Sequence, residues 1–265
     1  MNERARHAAD HGHLHVPGDT AVHRLPPHAK LVGLVAFVTA VAVTPRQAVG
    51  AFAIDALVVA VVVGVAGLPL RLLVARLTVV TPFLLFAALV PFIAGGDQVD
   101  VIGLTLSREG LWAAWNVTAK SVLGATASIV MAATTPVPDV IRGLNRLRLP
   151  TVLVGIVAFM FRYLDLLVDQ TRRMRHAMVA RGHDPRWLWQ IGPIAASAGT
   201  LFVRSYERGE RVHHAMLARG YSGTMPDLDG GAHTSSRVES WSVALAPAAA
   251  AVVALVTAVV LGASR

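Results

Sequence analysis

Cysteine is absent from the 265-residue chain, which excludes disulfides, thiolate metal sites and a thiol nucleophile. Lysine is nearly absent too, confined to Lys30 and Lys120, so the net charge of +8 is an arginine charge. The phosphate-cradling pattern Gly-x-x-x-x-Gly-Lys-Ser/Thr is missing, and the chain cannot itself be an ATPase of that type. Neither a Gly-x-Ser-x-Gly elbow nor a His-Glu-x-x-His pair is present, nor an acidic Asp-Asp-x-x-Asp cluster for a prenyl diphosphate.

Apolar sequence fills the space. Hydrophobic residues make up 54% of the chain and mean hydropathy is +0.56, in long runs parted by short polar breaks. A hydrocarbon core of about 30 Å needs about 20 helical residues. By that measure five segments are predicted to span a bilayer: Leu31 to Val43, Ala48 to Ala66, Leu77 to Ala94, Leu111 to Ala133 and Val243 to Leu261. The first is short, and Pro82 is expected to kink the third. The expected class is an all-α integral membrane protein with about five transmembrane helices and two long amphipathic cytoplasmic helices.

The first thirty residues are polar and His-rich without the apolar core of a signal peptide, which predicts a cytoplasmic N-terminus. That choice places Arg71, Arg76, Arg142, Arg146 and Arg148 inside. The loop from Gly95 to Gly110, with Asp97, Asp100 and Glu109, falls outside. Arg46 alone breaks the rule. The predicted organisation is a tail over 1–30, spans over 31–137, a cytoplasmic helical module over 138–222, a linker over 223–242 and a last span over 243–265.

Within that module Arg173-Met174-Arg175-His176-Ala177-Met178-Val179-Ala180-Arg181-Gly182 recurs as Arg211-Val212-His213-His214-Ala215-Met216-Leu217-Ala218-Arg219-Gly220, a constant offset of 38. Helical spacing puts Leu164, Val168, Thr171, Met174 and Met178 on one face of a first rod. Phe202, Tyr206, Gly209, Val212 and Met216 take the same places on a second. Gly182 and Gly220 stand where a left-handed cap ends a helix, with arginine in the last turn. Plain capping explains one Arg-Gly ending. A duplicated frame that keeps both Met and Arg points further, to two guanidiniums held at rigid ends for bidentate contact with carboxylates, each beside an adaptable methionine. Two such ends suit a partner with two equivalent grooves, as a dimer supplies. The short apolar stretches Val152 to Phe161 and Trp187 to Val203 are expected at or partly in the membrane.

These residues resemble the transmembrane T component of energy-coupling factor (ECF) transporters, of the cobalt, CbiQ-like branch. Ala180-Arg181-Gly182 and Ala218-Arg219-Gly220 match that family's paired motifs. Thr134-Thr135-Pro136, with Leu144, Leu147 and Leu149-Pro150, is similar to its approach to the coupling helices. His23-Arg24-Leu25 with Lys30-Leu31 is similar to the lead-in to its first span, although Pro26-Pro27-His28 stands where the family has Asp-Pro-Arg. The resemblance implies a non-catalytic subunit of a prokaryotic plasma-membrane importer. Arg181 and Arg219, with Met178 and Met216 beside them, would dock on two ABC-type ATPase subunits that carry the ATP and magnesium. A separate membrane subunit would bind the substrate, with cobalt the expected cargo and nickel or a vitamin the alternatives. No cofactor and no nucleic acid partner are expected for this chain, only protein partners and the bilayer.

Three further features bear on function. His11, His13 and His15 lie in a tract able to offer imidazoles to Co²⁺ or Ni²⁺, or form only a polar tail. Asp55 and Lys120 are charges inside apparent spans, where burial costs about 2.5 to 3.5 kcal/mol even on permissive scales. Asn116, one turn before Lys120, makes a polar stripe toward neighbouring helices the favoured reading there. An intramembrane enzyme acting on a lipid or prenyl substrate, with arginines on its phosphates, is the reading from a different class.

Overall fold

Prolines set where the helices begin and stop. Pro26 precedes α2 (Pro27–Val43), whose first residue needs no N–H partner. Before it lies the short α1 (Ala21–Arg24). Thr44 ends α2 by donating its hydroxyl to the Ala40 carbonyl at 2.9 Å, and Pro45 forbids continuation. Helix α3 (Val49–Ala66) closes on Gly67, whose φ of 65° lets the Leu68 N–H turn back to Val63. These are the features of a computed structural model that describes residues 16, 18–95, 97–101, 104–147, 149–183, 191–223, 245–247 and 249–253.

The next apolar stretch is broken. Helix α4 (Leu70–Leu77) passes through a 3₁₀ turn (Thr78–Val80) into α5 (Thr81–Ile93). The expected kink at Pro82 takes this form. The proline sits in the first turn of α5, and the backbone tightens just before it, where the ring would strike the carbonyl of Thr78. A two-stranded antiparallel hairpin, β1 (Gln98–Val101) and β2 (Leu104–Ser107), follows as a small exception to the helical fold. Ser107 then caps α6 (Arg108–Thr134), accepting the Gly110 N–H at 3.2 Å while its own hydroxyl donates to Gly95 at 3.0 Å. Gly110 is needed for another reason. A Cβ there would lie 2.7 Å from the Pro91 Cα, so α5 and α6 touch backbone to backbone.

Helix α6 is the axis of the first compact unit, which takes in residues 1–146 and 231–265. It packs against α2, α3, α4 and α5. Phe37, Val41, Phe52, Val59, Val63, Leu123 and Val130 form the core, and Phe52 meets Trp115 edge to face at 6.3 Å. After Thr135 and Pro136, α7 (Val137–Arg146) lies against α2, where a Cβ on Gly143 would stand 3.0 Å from the His28 nitrogen. This helix therefore closes the first unit, and the boundary falls after Arg146 rather than at 137.

The chain's two lysines link α2 and α6 reciprocally. Lys30, near the start of α2, donates to the Thr134 carbonyl at 3.2 Å, to the Thr135 hydroxyl at 3.1 Å and to His23 at 3.4 Å. Lys120, on α6, donates to the Ala42 carbonyl near the end of α2 at 2.7 Å. Each ammonium thus satisfies carbonyls that a helix C-terminus leaves orphaned. The polar stripe expected at Lys120 is a helix-to-helix tie.

The second unit, residues 147–230, contains α8 (Thr151–Ala180) and α9 (Gly192–Ala218). Neither helix has a fully buried residue. Three predicted spans are present as long apolar helices, Val49–Ala66, Leu70–Ile93 and Arg108–Thr134, with Pro27–Val43 as a shorter one. Thr151–Ala180 also has the length and apolarity to cross a bilayer, by an 18-residue window of mean hydropathy 2.0. Of the predicted last span, 245–247 and 249–253 are helical and the remainder falls outside the described residues.

Candidate functional site

The two Ala-Arg-Gly endings are one structure built twice. In α8 the His183 N–H reaches back to the Met178 carbonyl at 3.0 Å and the Gly182 N–H to Val179 at 2.9 Å. In α9 Tyr221 bonds to Met216 at 3.0 Å and Gly220 to Leu217 at 3.0 Å. Both are Schellman caps, and both need a left-handed residue, which Gly182 at φ 79° and Gly220 at φ 81° provide. Arg181 (φ −88°, ψ 12°) and Arg219 (φ −96°, ψ 12°) hold the cap position in matching backbone geometry. Each follows an alanine, Ala180 or Ala218, too small to crowd it. Both arginines are exposed and engage no carboxylate among the described residues.

The methionines point elsewhere. Met178 and Met216 are half-buried between the helices, and the Ser197 hydroxyl lies 3.5 Å from the Met178 sulfur. The exposed apolar side chains beside the arginines are Val179 and Leu217, about half exposed and equivalent in the repeat. They were legible only as the variable position of the motif, apolar in both copies.

The end of α8 thus meets the beginning of α9. At the other end Phe159 and Tyr163 share a cleft with Val212 and Met216. The helices run antiparallel, which puts Arg181 and Arg219 at opposite ends of the pair. At 1.5 Å per residue the levels of Met178, beside Ser197, and of Met216 lie about 28 Å apart along α9, and each arginine stands nearly one turn further out.

The packed stripe departs from the expected one. On α9 it runs Ser197, Leu201, Ser205, Arg208, Val212, Met216, so Phe202 and Tyr206, 72% and 61% exposed, stand one residue off and face outward. On α8 Leu164 and Thr171 are likewise exposed, while Val168, Met174 and Met178 are half-buried. The physical reason is the crossing. Antiparallel helices meet where their small and medium side chains interdigitate, and the 38-residue register was not what selected the seam.

Asp55 is wholly buried in α3, and neither carboxyl oxygen has a hydrogen-bond partner among the described residues. The Asn116 oxygen is in the same position. His11, His13 and His15 lie outside the described residues. Among the described ones no cluster of three His, Asp or Glu side chains is arranged for a metal.

With the paired caps in view, the comparison with known proteins is decisive. The family of cobalt transport proteins denoted CbiQ matches residues 18–228. The chain belongs to that family. It is 29% identical over 196 residues to the cobalt transport protein CbiQ of Rhodobacter capsulatus, covering 74% of this chain and 78% of that one. It is 28% identical over 229 residues to the energy-coupling factor transporter transmembrane protein EcfT of Bacillus selenitireducens, covering 79% and 82%. A fused cobalt transport protein, CbiMQ, of Methanocorpusculum labreanum is 23% identical over 153 residues, which are 54% of this chain but only 26% of that longer protein. Family membership and the long apolar helices make this an integral membrane protein.

Proposed function

We propose that this protein is the transmembrane coupling component of an ECF-type importer. It receives the motion of two ABC-type ATPase subunits through Arg181 and Arg219 and passes it to a substrate-binding membrane subunit. The observation that carries this reading is the duplicated, exposed Schellman end. Two guanidiniums with matching backbone settings, unengaged among the described residues and held at opposite ends of the helix pair, suit two equivalent acidic grooves better than one. Val179 and Leu217 supply the apolar contact beside each. Met178 and Met216 hold the helices together behind it.

The catalytic step belongs to the partners, since this chain lacks the nucleotide loop. Cobalt is the proposed cargo because the family and two of the relatives carry that description. The proposed orientation places the N-terminus, both arginine ends and the segment from Pro138 to Pro150 in the cytoplasm, following the arginine asymmetry. The proposed role of His11, His13 and His15 is to collect the metal at limiting concentration.

Arg181→Glu combined with Arg219→Glu tests the reading. Losing a desolvated charge pair costs about 2 to 5 kcal/mol, or at least about thirtyfold in affinity per site. The double variant should reach the membrane folded, fail to retain ATPase subunits on purification and lose ATP-dependent cobalt uptake. Normal co-purification and wild-type uptake would reduce the repeat to a pair of helix caps.

A further inference from the structure

The flank of the α8–α9 crossing opposite Phe159 and Val212 holds a second cleft, of about 400 Å³. Three guanidiniums converge on it, Arg173 from α8 with Arg204 and Arg208 from α9, alongside Gln170, Leu166 and Met174. No carboxylate lines it. Three arginines elsewhere pair with acids among the described residues: Arg24 with Asp19 at 2.8 Å, Arg142 with Asp139 at 2.8 Å and Arg211 with Glu207 at 3.9 Å. Arg173, Arg204 and Arg208 make no ion pair among the described residues. An arginine cannot shed its charge, so three around one cleft repel until an anion enters, and their planar forks match phosphate oxygens.

The surroundings identify the phosphate's source. The cleft lies at the end of the apolar stretch of α8, residues 151–168, which is long and apolar enough to cross a bilayer, and Leu166, Met174 and Ala177 give the cleft itself an apolar wall. A soluble phosphate ligand has no use for that apolar surface. A lipid has: aromatic and apolar side chains at the acyl boundary, with basic groups at the headgroup level, are how an interfacial helix holds an anionic leaflet. We propose that the cleft formed by Arg173, Arg204 and Arg208 binds the headgroup phosphate of an anionic membrane lipid. The site ties the crossing of the helix pair to the bilayer surface. It is independent of whether Arg181 and Arg219 dock on ATPases.

The test uses the full-length protein extracted from membranes and exchanged into mixtures of phosphatidylglycerol and phosphatidylcholine, with retained lipid counted by native mass spectrometry. The wild type should keep phosphatidylglycerol in preference to phosphatidylcholine. The triple variant Arg173→Gln, Arg204→Gln, Arg208→Gln should lose that retention by at least about tenfold, as expected when charge-assisted contacts to one phosphate are removed. A control triple, Arg46→Gln, Arg71→Gln, Arg146→Gln, removes the same charge elsewhere and should retain the lipid. Equal loss in both triples would reduce the effect to net charge and overturn the proposal. Equal retention of phosphatidylcholine by the wild type would overturn it in favour of acyl packing alone. Inorganic phosphate displacing the lipid at millimolar concentration would make the site one for a free anion. Phenylglyoxal labelling reads the same arginines without mutation. Phosphatidylglycerol vesicles should protect them, and protection by added ATPase subunits alone would assign the cleft to a protein surface and sink the lipid assignment. Should the glutamine triple fail to fold, the lysine triple keeps the charge and loses the fork, and its phosphatidylglycerol preference should weaken severalfold.

Discussion

The two units of this protein are stabilised in different ways. Residues 1–146 enclose a core around α6, with Phe37, Phe52, Val59, Val63 and Val130 buried and two lysines tying helix ends. In the α8–α9 pair no side chain is fully buried, and large apolar residues such as Phe202 and Met160 stand open. A helix pair without a core owes its order to what covers it, namely lipid, partner proteins or both. Under the proposed function the difference would separate a scaffold, which must keep one shape, from a moving part, whose stability is drawn from the low end.

The largest expected effect would sharpen that contrast. Phe52→Ala removes a fully buried ring and should destabilise the first unit by about 3 to 5 kcal/mol. Val212→Ala in the pair should cost under about 1 kcal/mol. Thermal unfolding in detergent, followed by protease resistance of each unit, measures both, and similar losses would show that the pair has a core after all. Next comes Lys30→Met, which leaves the Thr134 carbonyl and Thr135 hydroxyl unanswered. An orphaned buried acceptor costs about 1 to 3 kcal/mol, so the melting temperature should fall by several degrees.

Gly182→Ala and Gly220→Ala should each cost about 1 to 2 kcal/mol locally, because an L-residue at positive φ is strained. Faster hydrogen exchange at the His183 or Tyr221 amide, with the first unit unchanged, is the expected observation. Faster exchange throughout residues 1–146 would contradict the separation. The smallest effect is expected at Asp19, whose carboxyl is held below the ordinary carboxylate range by its two hydrogen bonds from Arg24. A lowered folded-state value contributes stability that is present above the unfolded pKa and fades as pH falls through the folded one. The pair is fully solvated, so Asp19→Asn should leave the neutral-pH melting temperature unmoved, and a clear drop would mean that the segment before α1 supports the core.

Much of the fold was legible in the chain because the relevant physics is local. Pro26, Pro45, Pro69 and Pro136 mark helix limits through a missing N–H and a fixed φ, and Gly182 and Gly220 mark ends through their tolerance of positive φ. Apolar runs against the thickness of a bilayer revealed the spans. The segment Val137–Arg146 was harder. Its proline and two arginines read as the start of the helical module, whereas the bare backbone of Gly143 fits it against α2, a contact that no local pattern announces.

By itself the sequence determined the membrane character, the helix ends and the twin arginines. Each depends on residues within one or two helical turns, or on composition summed along a run. Only the tertiary structure decided that Lys30 and Lys120 cap each other's helices, that Met178 and Met216 turn inward, and that Arg173 meets Arg204 and Arg208 across an antiparallel crossing. Those outcomes depend on which distant segments pack together. A periodic pattern gives each helix a face but not its neighbour, and a shift of one residue, as at Phe202 and Tyr206, turns a side chain about 100° around the axis, from the seam to the outside.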